Sequence, residues 1–198
     1  MKSSSFVRWS GLCLILAGLM QLVIGPLQQV SPVAPPSLDF SIRNGLIALT
    51  HALVLLGIIG LARSGAAGDG WLGKIGLGLA IIMGALFIPA ELTIQVNYTL
   101  GATLDGICSM GLGLGMILTG IAVLRAGRWQ SWRRFIPLLF GLYPFLLIMP
   151  FIIFTGAPNF VAIGGWGVFS LLLGVALRAE DAVAARQQNQ QTAQAAMR

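Results

Sequence analysis

Charge is scarce in this sequence. Only 9% of its 198 residues are Asp, Glu, Lys or Arg, where a soluble domain carries about 25%. Such a chain cannot cover itself with a water-compatible surface. Cysteine is equally sparse. Cys13 and Cys108 are the two present, which excludes a disulfide scaffold. Histidine occurs once, at His51, so no HExxH helix can form. No run of His, Cys, Asp and Glu has metal-ligand spacing, and the sequence gives no metal or cofactor site. No Ser/His/Asp arrangement stands out, and glycine-rich phosphate loops of either standard pattern are missing. The sequence therefore leans away from an enzyme.

What is present is apolar sequence. Hydrophobic residues make up 57% of the chain, and mean hydropathy is +0.87. A helix needs roughly 20 predominantly apolar residues to cross a bilayer. Six stretches meet that length or approach it, at about Trp9–Leu27, Asn44–Arg63, Trp71–Glu91, Asp105–Arg125, Trp132–Phe154 and Phe160–Arg178. These predict an all-α integral membrane bundle of six transmembrane helices forming one domain over 1–178. The Pro/Ser-rich loop Gln28–Arg43 is expected to be irregular. The Ala/Gln-rich tail, 179–198, is expected to continue the last helix for a few turns and then fray.

Charge placement supports that count. With the N-terminus inside, Lys2, Arg8, Arg63, Lys74, Arg125, Arg128, Arg133, Arg134, Arg178, Arg186 and Arg198 lie on the inner side, and only Arg43 lies outside. Asp39, Glu91 and Asp105 fall outside; Asp69, Glu180 and Asp181 fall inside. Positive residues gather on the cytoplasmic side of membrane proteins. The expected location is thus a bacterial plasma membrane, with both termini cytoplasmic. The net charge of +6 is a topology signal with a weaker attraction to anionic lipid, and it argues against a nucleic-acid partner. Residues 1–34 also fit a signal peptide, with Lys2 and Arg8 before an apolar core.

A three-fold grammar argues that the first helix is retained. Trp9, Trp71 and Trp132 open the odd helices, Pro26, Pro89 and Pro150 follow 17 or 18 residues later, and Arg63, Arg125 and Arg178 close the even ones. The chain reads as three helical hairpins, about 9–63, 71–125 and 132–178. Common interface rules explain the same pattern without duplication. Small-residue stripes (Gly76, Ala80 and Gly84; Gly111 and Gly115; Ala48 and Ala52) predict close helix contacts.

Polar residues within a membrane are costly and mark functional candidates. They gather toward the outer side. Asn44, Ala48 and His51 share one helical face, and Glu91, Gln95 and Tyr98 share another if the third helix passes Pro89. Asp105 and Ser109 pair on the fourth helix. Together these predict an outward-facing ligand pocket of His51, Glu91, Asp105, Asn44, Gln95 and Tyr98. Each has a plain alternative: His51 as a neutral core histidine, Glu91 reaching headgroups, and Asp105 complementing a helix N-terminus. The fifth helix carries Pro137, Pro144 and Pro150, and the break at Tyr143 and Pro144 is a second candidate, because broken helices often mark transporter sites. The run Gly164-Gly-Trp-Gly167 on the sixth helix could lie opposite.

The segment LIALTHALVLLGIIGLAR, through His51, Gly60, Leu61 and Arg63, and the following FIPAEL, through Pro89 and Glu91, resemble small uncharacterised bacterial six-helix inner-membrane proteins over about residues 44–125. That resemblance implies an inner-membrane location and brings no activity. Three functional classes follow: a small-molecule transporter or ligand-binding membrane protein; an accessory subunit packing into a larger membrane complex or a homo-oligomer; and an intramembrane enzyme acting on a lipid or isoprenoid through Glu91 or Asp105. The last requires those two carboxylates to converge in a lipid-accessible cavity. Membrane lipid is a partner in every case.

Overall fold

The computed structural model describes residues 5–33, 35 and 37–179. Six helices in it are long and apolar enough to cross a membrane: α1 (Ser5–Val30), α2 (Leu38–Ser64), α3 (Trp71–Ile94), α4 (Tyr98–Ala126), α5 (Ser131–Thr155) and α6 (Phe160–Ala179). No strand occurs among the described residues. Most of the tail expected to fray, 180–198, lies outside them.

The largest departures from the apolar stretches are at the starts of α2 and α4, which begin six and seven residues earlier than predicted. Gln28–Arg43 is not one irregular loop. The start of α2 is fixed by Ser37, whose hydroxyl accepts from the Phe40 N–H at 3.2 Å, with Asp39 in the first turn. This is a standard N-cap with an anion near the positive end of the helix dipole. Likewise Asn97 caps α4 by accepting from the Leu100 N–H at 3.0 Å. Asp105 therefore lies two turns inside α4 and does not serve its N-terminus. Hydropathy missed these turns because capping residues are polar.

Each helix packs on its neighbours in chain order, and α6 returns to α1. Buried side chains from Val7 to Leu177 form one core cluster. Gly11, Gly18 and Gly25, seven residues apart, bring α1 against α6. A Cβ added to Gly18 would stand 2.5 Å from the Gly167 carbonyl oxygen, and one on Gly174 would stand 2.5 Å from that of Gly11. The stripes predicted on α3 and α4 also meet: a Cβ on Gly76 would lie 2.8 Å from the Gly115 carbonyl oxygen. Gly84 instead turns toward Leu55 and Ile58 of α2. Lipid offers apolar side chains no reason to hide from it, so this close backbone approach is what holds the bundle together.

The two ends of the bundle differ in charge. At one end the Arg63 guanidinium sits 4.3 Å from the Phe6 ring centroid. There Arg128 pairs with Asp69 at 2.8 Å and donates to the Gly65 carbonyl at 2.7 Å. Exposure limits the worth of that ion pair, but it ties two loops together. At the other end Arg43 donates to the Ser31 carbonyl at 2.6 Å, and the Phe160 N–H donates to Gln29 Oε1 at 2.9 Å.

Candidate functional site

Three helices bring His51, Glu91 and Asp105 together. One ligand-type atom from each lies within 4.8 Å of the other two. They are separated by 40 and 14 residues in sequence, so local spacing could not register them as a group. The chain order α2–α3–α4 does so, because each helix packs beside the next.

The supports are specific. The His51 ring lies against Phe87, with centroids 4.1 Å apart and planes tilted by 37°. Phe87 is buried one turn before Glu91 on α3, so the same helix face carries the carboxylate and braces the imidazole. Asn44 is also buried, and its amide donates to the backbone carbonyl of Glu91 at 2.7 Å. That carbonyl stands in the last turns of α3, where the Gln95 N–H bonds Leu92 instead, at 3.3 Å. Helix ends leave such carbonyls unpaired, and Asn44 fills this one. Its side chain thus positions Glu91 by clamping α2 to α3.

Glu91 is buried, not exposed to headgroups or water. Pro89 does not stop α3, which runs to Ile94 with Thr93 Oγ1 donating to the Pro89 carbonyl at 2.7 Å. Gln95 and Tyr98 fall outside the cluster. Gln95 caps α3, Tyr98 opens α4, and both are exposed. Phe87 was legible only as an aromatic one turn from Glu91, a signal that core packing also produces.

Two polar atoms here are buried without any hydrogen-bond partner: Nδ1 of His51 and Oδ1 of Asp105. Leaving one such group unsatisfied costs about 1–3 kcal/mol. Membrane interiors make polar groups expensive enough that they are rare and functional by default. No Lys or Arg is paired with either carboxylate by any described ion pair.

A cleft of about 60 Å³ reaches His51 from the other side, between α1, α2 and α6. Gln21, Gln28 and Thr50 supply its polar lining. Gln21 Oε1 accepts from Ser170 at 3.1 Å. The cleft has room for a few waters, each needing roughly 10–15 Å³, and is far below the roughly 300–1,000 Å³ of drug-sized ligand pockets. A larger hollow of about 370 Å³ lies at the arginine-rich end, around Asp69, Trp71, Arg125 and Arg128, away from the cluster.

The break in α5 is arranged differently. Pro144 begins a π-helical turn, Pro144–Ile148. Proline has no N–H to offer the carbonyl four residues back, here that of Phe140. The Trp166 indole N–H donates to that carbonyl at 2.9 Å, in a buried contact. Tyr143 Oη donates to the Ala162 carbonyl at 2.8 Å. A Cβ on Gly165 would collide with that Tyr143 hydroxyl. Tyr143, Pro144 and the Gly164–Gly167 run therefore lock α5 to α6.

No known protein family, curated protein or solved structure matches this chain.

Proposed function

We propose that this polytopic membrane protein resides in a bacterial plasma membrane with its termini cytoplasmic, and that it admits a small polar ligand from the outer side to His51, Glu91 and Asp105, as a transporter or a ligand-binding protein. The observation that carries this reading is the meeting of three ionisable side chains from three helices, two of them with buried atoms left unpaired. A purely structural cluster would have satisfied those atoms internally. The outward direction rests on the charge asymmetry, since the cluster lies toward the end away from most of the arginines. The carboxylates do converge as an intramembrane enzyme would need. The 60 Å³ cleft that reaches His51, lined by neither carboxylate, has room for a few atoms and none for a lipid chain.

The test is a stability screen of the purified chain against small inorganic and organic ions, with His51→Ala alongside. A ligand at a hundred times its Kd stabilises the folded form by about 2.7 kcal/mol. At least one ion class should raise the unfolding temperature of the natural protein and leave His51→Ala unmoved. A screen in which the two proteins respond alike to everything removes the reading.

A further inference from the structure

The His51–Glu91–Asp105 cluster has a composition that narrows its ligand. One imidazole and two carboxylates suit a borderline divalent transition ion: imidazole disfavours Mg²⁺ and Ca²⁺, and the absence of thiolate disfavours soft ions. Charge gives the same answer. An incoming cation displaces the protons of both carboxyls; the carboxylates and a neutral histidine then carry −2, which a divalent cation cancels, the condition under which charge is tolerated in a membrane interior. No described guanidinium or ammonium does that job. Arg43, the basic residue at that end, is committed to Ser31.

Geometry is compatible. First-row ions hold nitrogen and oxygen at about 2.0–2.2 Å, so two ligands on one ion stand roughly 3–4 Å apart. The cluster's atoms lie within 4.8 Å of one another. Three side chains sharing a contraction of about 1 Å would close on an ion. The buried Nδ1 of His51 and Oδ1 of Asp105 offer lone pairs that nothing else uses. Three protein ligands leave at least one coordination position open, as exchangeable and catalytic sites do and sealed structural sites do not. Phe87 and Asn44 form the outer support, one bracing the ring and one the helix that carries Glu91.

We infer that His51, Glu91 and Asp105 bind a divalent transition-metal ion of the Zn²⁺, Mn²⁺ or Co²⁺ kind, held between α2, α3 and α4. The inference rests on the ligand-binding reading above and names its ligand class.

The experiment titrates the purified full-length chain, stripped with chelator, with Zn²⁺ and separately with Co²⁺. Metal content after dialysis and the visible absorption of bound Co²⁺ are the readouts. One equivalent of either ion should remain on the natural protein, and bound Co²⁺ should show intensified bands from a low-coordinate site. His51→Ala, Glu91→Gln and Asp105→Asn should each weaken retention at least tenfold. Asp39→Asn, at an exposed position, should retain it. Glu91→Asp keeps the ligand type and should bind more weakly than the natural protein but more strongly than Glu91→Gln. That ordering cannot come from misfolding alone. Failure to retain either ion, or retention indifferent to all three substitutions, overturns the metal assignment. If metals fail while another small ion stabilises the chain in a His51-dependent way, the ligand-binding reading survives without the metal. If neither occurs, both fall.

Discussion

Two places in this bundle put polar groups deep among apolar helices, and they treat them in opposite ways. At the α5–α6 contact, the carbonyl that Pro144 deprives of its partner receives the Trp166 indole N–H, and Tyr143 finds the Ala162 carbonyl. At the α2–α3–α4 contact, His51 Nδ1 and Asp105 Oδ1 meet nothing. Proline kinks look functional in a sequence, but this one is a fastening. A lone histidine looks like core, but this one belongs to a cluster in which two buried atoms have no protein partner. What distinguishes a site from a joint is whether its donors and acceptors are already matched, not how irregular the backbone is.

The comparison can be broken most forcefully at the joint. Trp166→Ala removes a large buried side chain and orphans the Phe140 carbonyl. Removing a core tryptophan costs about 3–5 kcal/mol, so the unfolding midpoint in denaturing detergent should fall sharply, while Zn²⁺ retention by the surviving folded fraction persists. Loss of metal with little loss of stability would mean that the two regions had been assigned the wrong way round.

Asn44→Ala should come next. It leaves the Glu91 carbonyl unpaired at the end of α3, a loss of about 1–3 kcal/mol. Because Asn44 supports Glu91 without being counted among the ligands, metal affinity should drop by less than for Glu91→Gln. Equal losses from the two substitutions would place the Asn44 side chain on the ion itself. Tyr143→Phe follows, at about 0.6 kcal/mol, the average for an interhelical hydrogen bond in a membrane. Ligand binding should not change.

Much of this was legible in the sequence, for reasons that also set the limits. The six spans follow from runs of apolar residues, and hydropathy reads these directly. The division of charge is just as plain: among described residues the basic cluster at Arg63, Arg125, Arg128 and Arg178 opposes Arg43. His51, Glu91 and Asp105 stood out because polar residues in such runs are conspicuous. Their meeting was not written locally, since it depends on which helices become neighbours. The helix starts are less legible because Ser37 and Asn97 are polar caps, which a hydropathy argument assigns to loop. The same argument puts Asp105 at a helix start, where it would complement the dipole, instead of two turns inside α4. The Phe140 carbonyl could have been anticipated, since it lies four residues before Pro144. Its partner could not, because the Trp166 indole reaches it from another helix.

The smallest expected effect makes the contrast sharpest. Asp105→Asn changes a carboxylate whose buried Oδ1 has no hydrogen-bond partner in the structure. A residue kept for stability would lose stability on substitution, as Trp166 and Asn44 should. A residue kept for a ligand has nothing to lose in the ligand's absence, and removing one of two neighbouring acids relieves repulsion between them. The metal-free Asp105→Asn protein should therefore unfold within about 0.5 kcal/mol of the natural chain, or slightly above it. Adding Zn²⁺ should then separate the two, stabilising the natural chain alone. Stability curves with and without metal give both halves of that result. A marked loss already present in the metal-free protein would show Asp105 to be one more fastening, and the difference between the two regions would disappear.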